Sequence, residues 1–112
     1  MIDTLMDVLL DSAVAAPLIA LAFVMRVSGS SMREAGIDDG DLVLVDRAIK
    51  AVSEHVVIAV VGDGFVCRRL VRRAGVARLR AADASVTDIV AHEGEAFEVW
   101  GVVTHAIKSL PV

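Results

Sequence analysis

Val27-Ser28-Gly29-Ser30-Ser31-Met32-Arg33-Glu34-Ala35-Gly36-Ile37-Asp38-Asp39-Gly40-Asp41-Leu42-Val43-Leu44-Val45-Asp46 is the stretch on which the reading of this chain turns. Gly29 lets the backbone take a strained angle or come close to another chain. Ser30 to Ala35 reads as a single helical turn with Ser30 or Ser31 near its N-cap, where a side-chain oxygen accepts from a free N–H. Amides at such a start point outward and can stabilise an oxyanion beside the Ser31 hydroxyl, with Gly29 and Met32 as backbone support. Met32 supplies an apolar anchor behind the serine. Gly36 to Asp41 is a turn, and Leu42 to Asp46 is a strand.

Working outward, Leu21 to Val27 is a strand entering the serine segment. Val56 to Val61 is wholly apolar, the mark of a strand buried on both faces. Gly62-Asp63-Gly64 is a hairpin turn leading to a strand from Phe65 to Val71. Arg72 to Gly75 turns again, into Val76 to Ala82. Ala84 to Glu95 is mostly loop, and Phe97 to Ile107 is a long closing strand. Before all of these, Ile2, Leu5, Met6, Leu9, Leu10 and Ala13 recur at helical spacing, with Asp3, Thr4, Asp7 and Asp11 on the other side. That pattern predicts an amphipathic helix ended by Ala16-Pro17. The polar face has no basic residue, which argues against a membrane-surface helix. The expected organisation is one domain: residues 1–20 as helix and connector, residues 21–112 as a compact, mostly β unit.

Composition supports this. Of 112 residues, 56% are hydrophobic against about 45–50% in ordinary domains, and the excess is valine and alanine rather than aromatic. Valine-rich, aromatic-poor segments suit buried strands. The single cysteine, Cys67, excludes an internal disulfide and fits a reducing cytoplasm, with neither a metal site nor a cofactor expected. The longest nearly apolar run, Ala13 to Met25, contains Pro17 and is too short to cross a bilayer. A cytoplasmic chain with no membrane partner is the expectation. The net charge of −4 disfavours direct nucleic-acid binding. Six of the eleven basic residues nevertheless fall between Arg68 and Arg80. A solvated hairpin edge and a phosphate-binding patch are the two readings of that cluster.

Ser28-Gly29-x-Ser31-Met32, Gly36-Ile37-x-Asp39-Gly40-Asp41-Leu42, Val45-Asp46 and Val99-Trp100-Gly101-Val102-Val103 occur in one order over about three quarters of the chain. Together they resemble the LexA/UmuD family of self-cleaving serine peptidases, with processed UmuD the nearest likeness. The resemblance implies a compact, mostly β peptidase fold of short antiparallel strands, here with the N-terminal helix added. It also implies a serine nucleophile at Ser31 and a general-base lysine 37 positions later, without a gap. That position is Arg68. Bacterial type I signal peptidases share the Ser-Met start, but a proline would be expected after it, where this chain has Arg33-Glu34-Ala35.

A dyad lysine works as a base because burial disfavours its charged form. A guanidinium stays protonated and cannot take the serine proton. Alternation places Arg68 on the face of Val66 and Leu70, and a slip of one would bring Arg69, again no base. His55, His92 and His105 read as ordinary surface or strand histidines. A buried Arg68 requires a carboxylate, backbone carbonyls or water within hydrogen-bond reach. Nor does the segment before Ser31 hold the Ala-Gly or Cys-Gly pair expected of a cleavage site. The resemblance to processed UmuD thus implies a homodimer acting as accessory subunit to a Y-family error-prone DNA polymerase, with a degenerate serine site. The alternatives are a working self-cleaving peptidase and a detached dimerisation domain of a LexA-like repressor.

Overall fold

The computed structural model describes residues 22–90 and 97–111; the N-terminal helix expectation and His92 lie outside them. Seven strands form one sheet: β1 (Ala22–Arg26), β2 (Leu42–Asp46), β3 (Val56–Val61), β4 (Gly64–Arg73), β5 (Val76–Arg80), β6 (Ile89–Val90) and β7 (Phe97–Ile107). Their order is β1-β2-β7-β3-β4-β5-β6, and every pair is antiparallel. The only helical element among the described residues is a 3-10 turn, Arg33–Ala35.

β3 is apolar throughout because both of its faces are covered. Ile58 packs with Met25, Met32, Ile37, Val43, Val45 and Cys67 on one side. Val57 and Ala59 pack with Leu70, Leu79 and Val102 on the other. A strand covered on one face alone would alternate with polar residues. β7 serves both clusters. Its partners skip Trp100 against β3 (Ile58 faces Gly101, Ala59 faces Val99) and Thr104 against β2 (Leu44 faces His105, Val45 faces Val103). Each skipped residue is a bulge, and a bulge reverses the phase of alternation. Hence Phe97 and Val99 pack on the same cluster as Val102, while Trp100 and Val103 pack on the other.

One hairpin turn is tighter than its sequence suggests. β4 runs on to Arg73, because Arg72 and Arg73 still pair with Ala77 and Val76. The turn shrinks to Ala74 and Gly75, both at positive φ (51° and 77°), as a two-residue loop joining right-twisted strands requires. β5 ends at Arg80 instead of Ala82. The expected loop after Ala84 contains β6, whose two residues pair with Arg78 and Leu79.

The Gly36–Asp41 turn is tied down at both ends. Val27 N–H donates to the Asp41 carbonyl and Gly40 N–H to that of Val27, both at 2.8 Å. Gly29 N–H donates to Asp39 Oδ1 at 2.7 Å. Asp41 accepts the Asp38 N–H and an ammonium hydrogen of Lys108, which also donates to Asp38 at 2.8 Å. The last described turn of chain is thereby fastened to the serine segment.

Two tests follow from this packing. A methyl group on Gly101 would stand 2.5 Å from Cγ1 of Val45, a fully buried strand side chain with no room to withdraw. Gly101→Ala should lower the unfolding free energy by about 1–3 kcal/mol in urea titration; an unchanged midpoint would show the strand can yield. The second concerns acid. The Lys108 ammonium, followed by the Asp38 N–H, holds the Asp41 carboxyl below its ordinary 3.8. A carboxylate lowered on folding stabilises fully above its unfolded pKa and loses that contribution as pH falls through the folded value. The gap in melting temperature between the native protein and Asp41→Asn should be steady near neutrality and close below about pH 4. A gap that persists into stronger acid would mean the ion pair is not its source.

Candidate serine site

Ser31 lies on the segment between β1 and the 3-10 turn, and its position is set by its neighbour. Met32 is fully buried in the first cluster, and sinking a side chain of that size contributes about 1.5–3 kcal/mol. Met32, not a serine, is the N-cap of the 3-10 turn, and no side chain caps it. The Ser30–Ala35 turn is therefore shorter than expected, and its amides are spent: Arg33 N–H goes to the Ser30 carbonyl, Glu34 N–H to Ala82, and Ala35 N–H to Met32. Gly29 has the positive φ (95°) its residue type allows, but its N–H is held by Asp39. Among the described residues, the N–H groups of Ser31 and Met32 carry no hydrogen bond. Met32 is fully buried, which leaves the Ser31 N–H as the unbonded amide beside the Ser31 hydroxyl.

β4 brings Arg68 to this hydroxyl. In register Arg68 faces Val57 of β3, with Val66 and Leu70 two residues to either side in the second cluster. Arg68 Nη1 donates to Ser31 Oγ at 2.5 Å and to the Cys67 carbonyl at 3.0 Å. The carbonyl partner matches what a partly buried guanidinium requires, but no carboxylate forms a salt bridge with it among the described residues. Its Nε is buried with no partner there, an unmet donor that costs about 1–3 kcal/mol. Desolvation lowers the Arg68 pKa from its ordinary value, while the charges of Cys67 and then Asp88 act the other way. A guanidinium lowered from so high a value is still a cation at neutral pH.

The chemistry of the pair follows from donor and acceptor roles. Arg68 can only donate, so Ser31 Oγ is the acceptor and its lone pair points at a positive charge. That charge withdraws electron density from the oxygen and offers no lone pair to its proton. The other groups nearby supply no base either. Burial pushes the Cys67 thiol up to about 11, against a smaller opposing effect of Arg68, so at neutral pH it is an inert thiol in the core. His55 Nδ1 accepts the Val52 N–H within its own turn, and His105 lies exposed on β7 with Nδ1 against Thr104 Oγ1. Asp83, nearly buried, accepts from the Ser85 N–H and hydroxyl and faces Arg33 at 3.5 Å. No group of three or more metal-ligating side chains occurs among the described residues, and no helix there is long and apolar enough to cross a membrane.

The basic run from Arg68 to Arg80 does not act as one patch. Arg68 goes to Ser31; Arg69 donates to the Glu54 carbonyl. Arg78 and Arg80 share Asp88, at 3.8 and 3.6 Å. Sequence reading missed this dispersal, and it missed Lys108 as the clamp on Asp38 and Asp41. The spacing of two carboxylates across a glycine turn was the available signal, but its partner lies 67 residues beyond Asp41.

A seven-stranded antiparallel sheet presents a serine loop to one residue of β4, an arrangement compatible with a serine-peptidase fold. Residues 13–104 match the Peptidase S24-like family, and the chain belongs to it. It is 41% identical over 87 residues to the LexA repressor of Cupriavidus taiwanensis, covering 78% of this chain and 40% of that protein. It is 34% identical over 90 residues to protein MucA of Salmonella typhimurium, covering 80% of this chain and 62% of MucA. A LexA repressor of Paracidovorax citrulli matches at 34% over 87 residues. The chain is thus LexA/UmuD-like, and it spans about two fifths of the length of these LexA relatives.

Proposed function

We propose that this chain is a UmuD-like protein of the DNA-damage response, dimeric and acting by binding, with Ser31 in the nucleophile position and Arg68 where a peptidase would hold its lysine. The observation that carries the reading is the hydrogen bond from Arg68 Nη1 to Ser31 Oγ. It joins the two positions across 37 residues of sequence and puts a permanent donor where a proton acceptor is needed. Similarity to MucA supports the UmuD-like branch, and an accessory role beside a Y-family DNA polymerase is the corresponding partnership. The second reading, a LexA-like dimerisation domain, is favoured by the 41% identity to a LexA repressor. Both readings need the fold and neither needs catalysis.

The wild-type protein should resist labelling by a fluorophosphonate probe and should stay intact at alkaline pH. Arg68→Lys should gain labelling that is lost again in Ser31→Ala, since lysine can shed its proton when desolvated. Ser31-dependent labelling or cleavage of the unaltered protein would overturn the degenerate site. For the assembly, light scattering at micromolar concentration should return the mass of two chains, and a Y-family polymerase should co-purify with the tagged protein. A strict monomer would sink the dimer; co-purification with a repressor chain instead of a polymerase would favour the LexA-like reading.

A further inference from the structure

Arg72, one of the two hairpin arginines not yet placed, opens a different site. It lines a cavity of about 220 Å³ together with Arg47, Lys50, Ile49, Val99 and Trp100. The cavity lies between the segment after β2 and the first half of β7. Three of the eight residues around it are cationic and none is acidic. Lys50 and the Arg72 side chain have no hydrogen-bond or ion-pair partner among the described residues, unlike Arg78 and Arg80, which share Asp88. In a molecule of net charge −4, three cations around one cavity, with no acidic residue in its lining among the described residues, mark an uncompensated local field.

The wall is as specific as the charge. Arg47 lies over the Trp100 ring, its guanidinium carbon 4.3 Å from the centroid, and Nε donates to the Trp100 carbonyl at 2.8 Å. Stack and hydrogen bond together hold the guanidinium in place, with its terminal nitrogens available to an anion. Phe23 and Phe65 pack against the same indole, with centroids 5.0 and 5.7 Å away. Ile49 is 39% exposed at the rim. The site therefore combines a fixed guanidinium, two mobile cations and an aliphatic edge.

We propose that this cavity docks an acidic segment of a partner protein, in which a carboxylate side chain sits beside an aliphatic one. The carboxylate meets Arg47, Lys50 and Arg72; the aliphatic neighbour covers Ile49 and Val99. A nucleic-acid strand fits poorly. Single strands bind through bases stacked on open aromatic faces along a basic groove, and here Arg47 covers Trp100 while Phe23 and Phe65 crowd it. A volume of about 220 Å³ holds one anionic group and its neighbour, not a run of phosphates. The site does not involve Ser31 or Arg68 and stands whether or not that pair is catalytic.

Trp100 is the sole tryptophan of the chain, so the site carries its own reporter. Titrating the full chain with the peptide acetyl-Leu-Glu-Glu-Leu-amide should shift Trp100 emission saturably. The Leu-Gln-Gln-Leu counterpart should not, and added salt should weaken the acidic peptide. The double variant Lys50→Glu with Arg72→Glu alters two exposed side chains. It should keep its melting temperature and bind at least about tenfold more weakly. No saturable shift, equal binding of the glutamine peptide, or an unaffected double variant would overturn the site. Tighter binding of an oligo-thymidine strand would overturn the assignment to a protein partner, and so would inorganic phosphate binding as tightly as the peptide.

Discussion

Everything in this molecule hangs on β7 pairing on both sides at once. β1 and β2 form one hairpin-like unit, β3 to β6 another, and β7 alone hydrogen-bonds to both. The sheet's central strand is the last of the seven in sequence, so its pairings are long-range. The two bulges on β7 reconcile the units. Each flank demands its own phase of inward and outward side chains, and one strand supplies both only by dropping a residue toward each neighbour. Gly101, which has no methyl to meet the Val45 side chain, leaves room for it where the adjustment is made.

The same strand ends in the device that steadies the serine loop. Lys108, just past β7, reaches back to Asp38 and Asp41, and the turn carrying them holds Val27 and Gly29. From the other side, Glu34 donates to Ala82 beyond β5 and Met32 is sunk in the core. The loop is thus gripped by the first strand, the last strand and the segment after β5. Such redundancy fits a catalytic framework, where a nucleophile must be held to within a fraction of an ångström.

Much of this was legible in the residues. β2, β3 and β7 fall where their apolar patterns place them, because uninterrupted valine-rich runs bounded by glycine or polar turns have few other ways to be buried. Ser31 and Arg68 are brought together, as the resemblance to the family implies. The ends of β4 and β5 were less legible, since arginines read as turn residues until their backbone partners are known. β6 was missed because a two-residue strand has no periodicity. Lys108, the Trp100 bulge and the cavity around Arg72 depend on contacts between distant segments. Sequence showed six arginines along one hairpin; only the fold shows that five of them serve four different neighbourhoods.

Besides the Arg68 bond to the Ser31 hydroxyl, the ties that fix the Ser31 loop do not use the side chain at position 68: Met32 is sunk in the first cluster, and the Asp39 and Asp41 bonds and the Lys108 clamp lie outside β4. The backbone of the site is therefore placed largely independently of the residue that sets its reactivity. Arginine and lysine can differ by a single nucleotide substitution, so one such change at position 68 suffices to alter the chemistry while the scaffold stays in register. A lineage holding this arrangement can lose a base, or regain one, without refolding the domain around it.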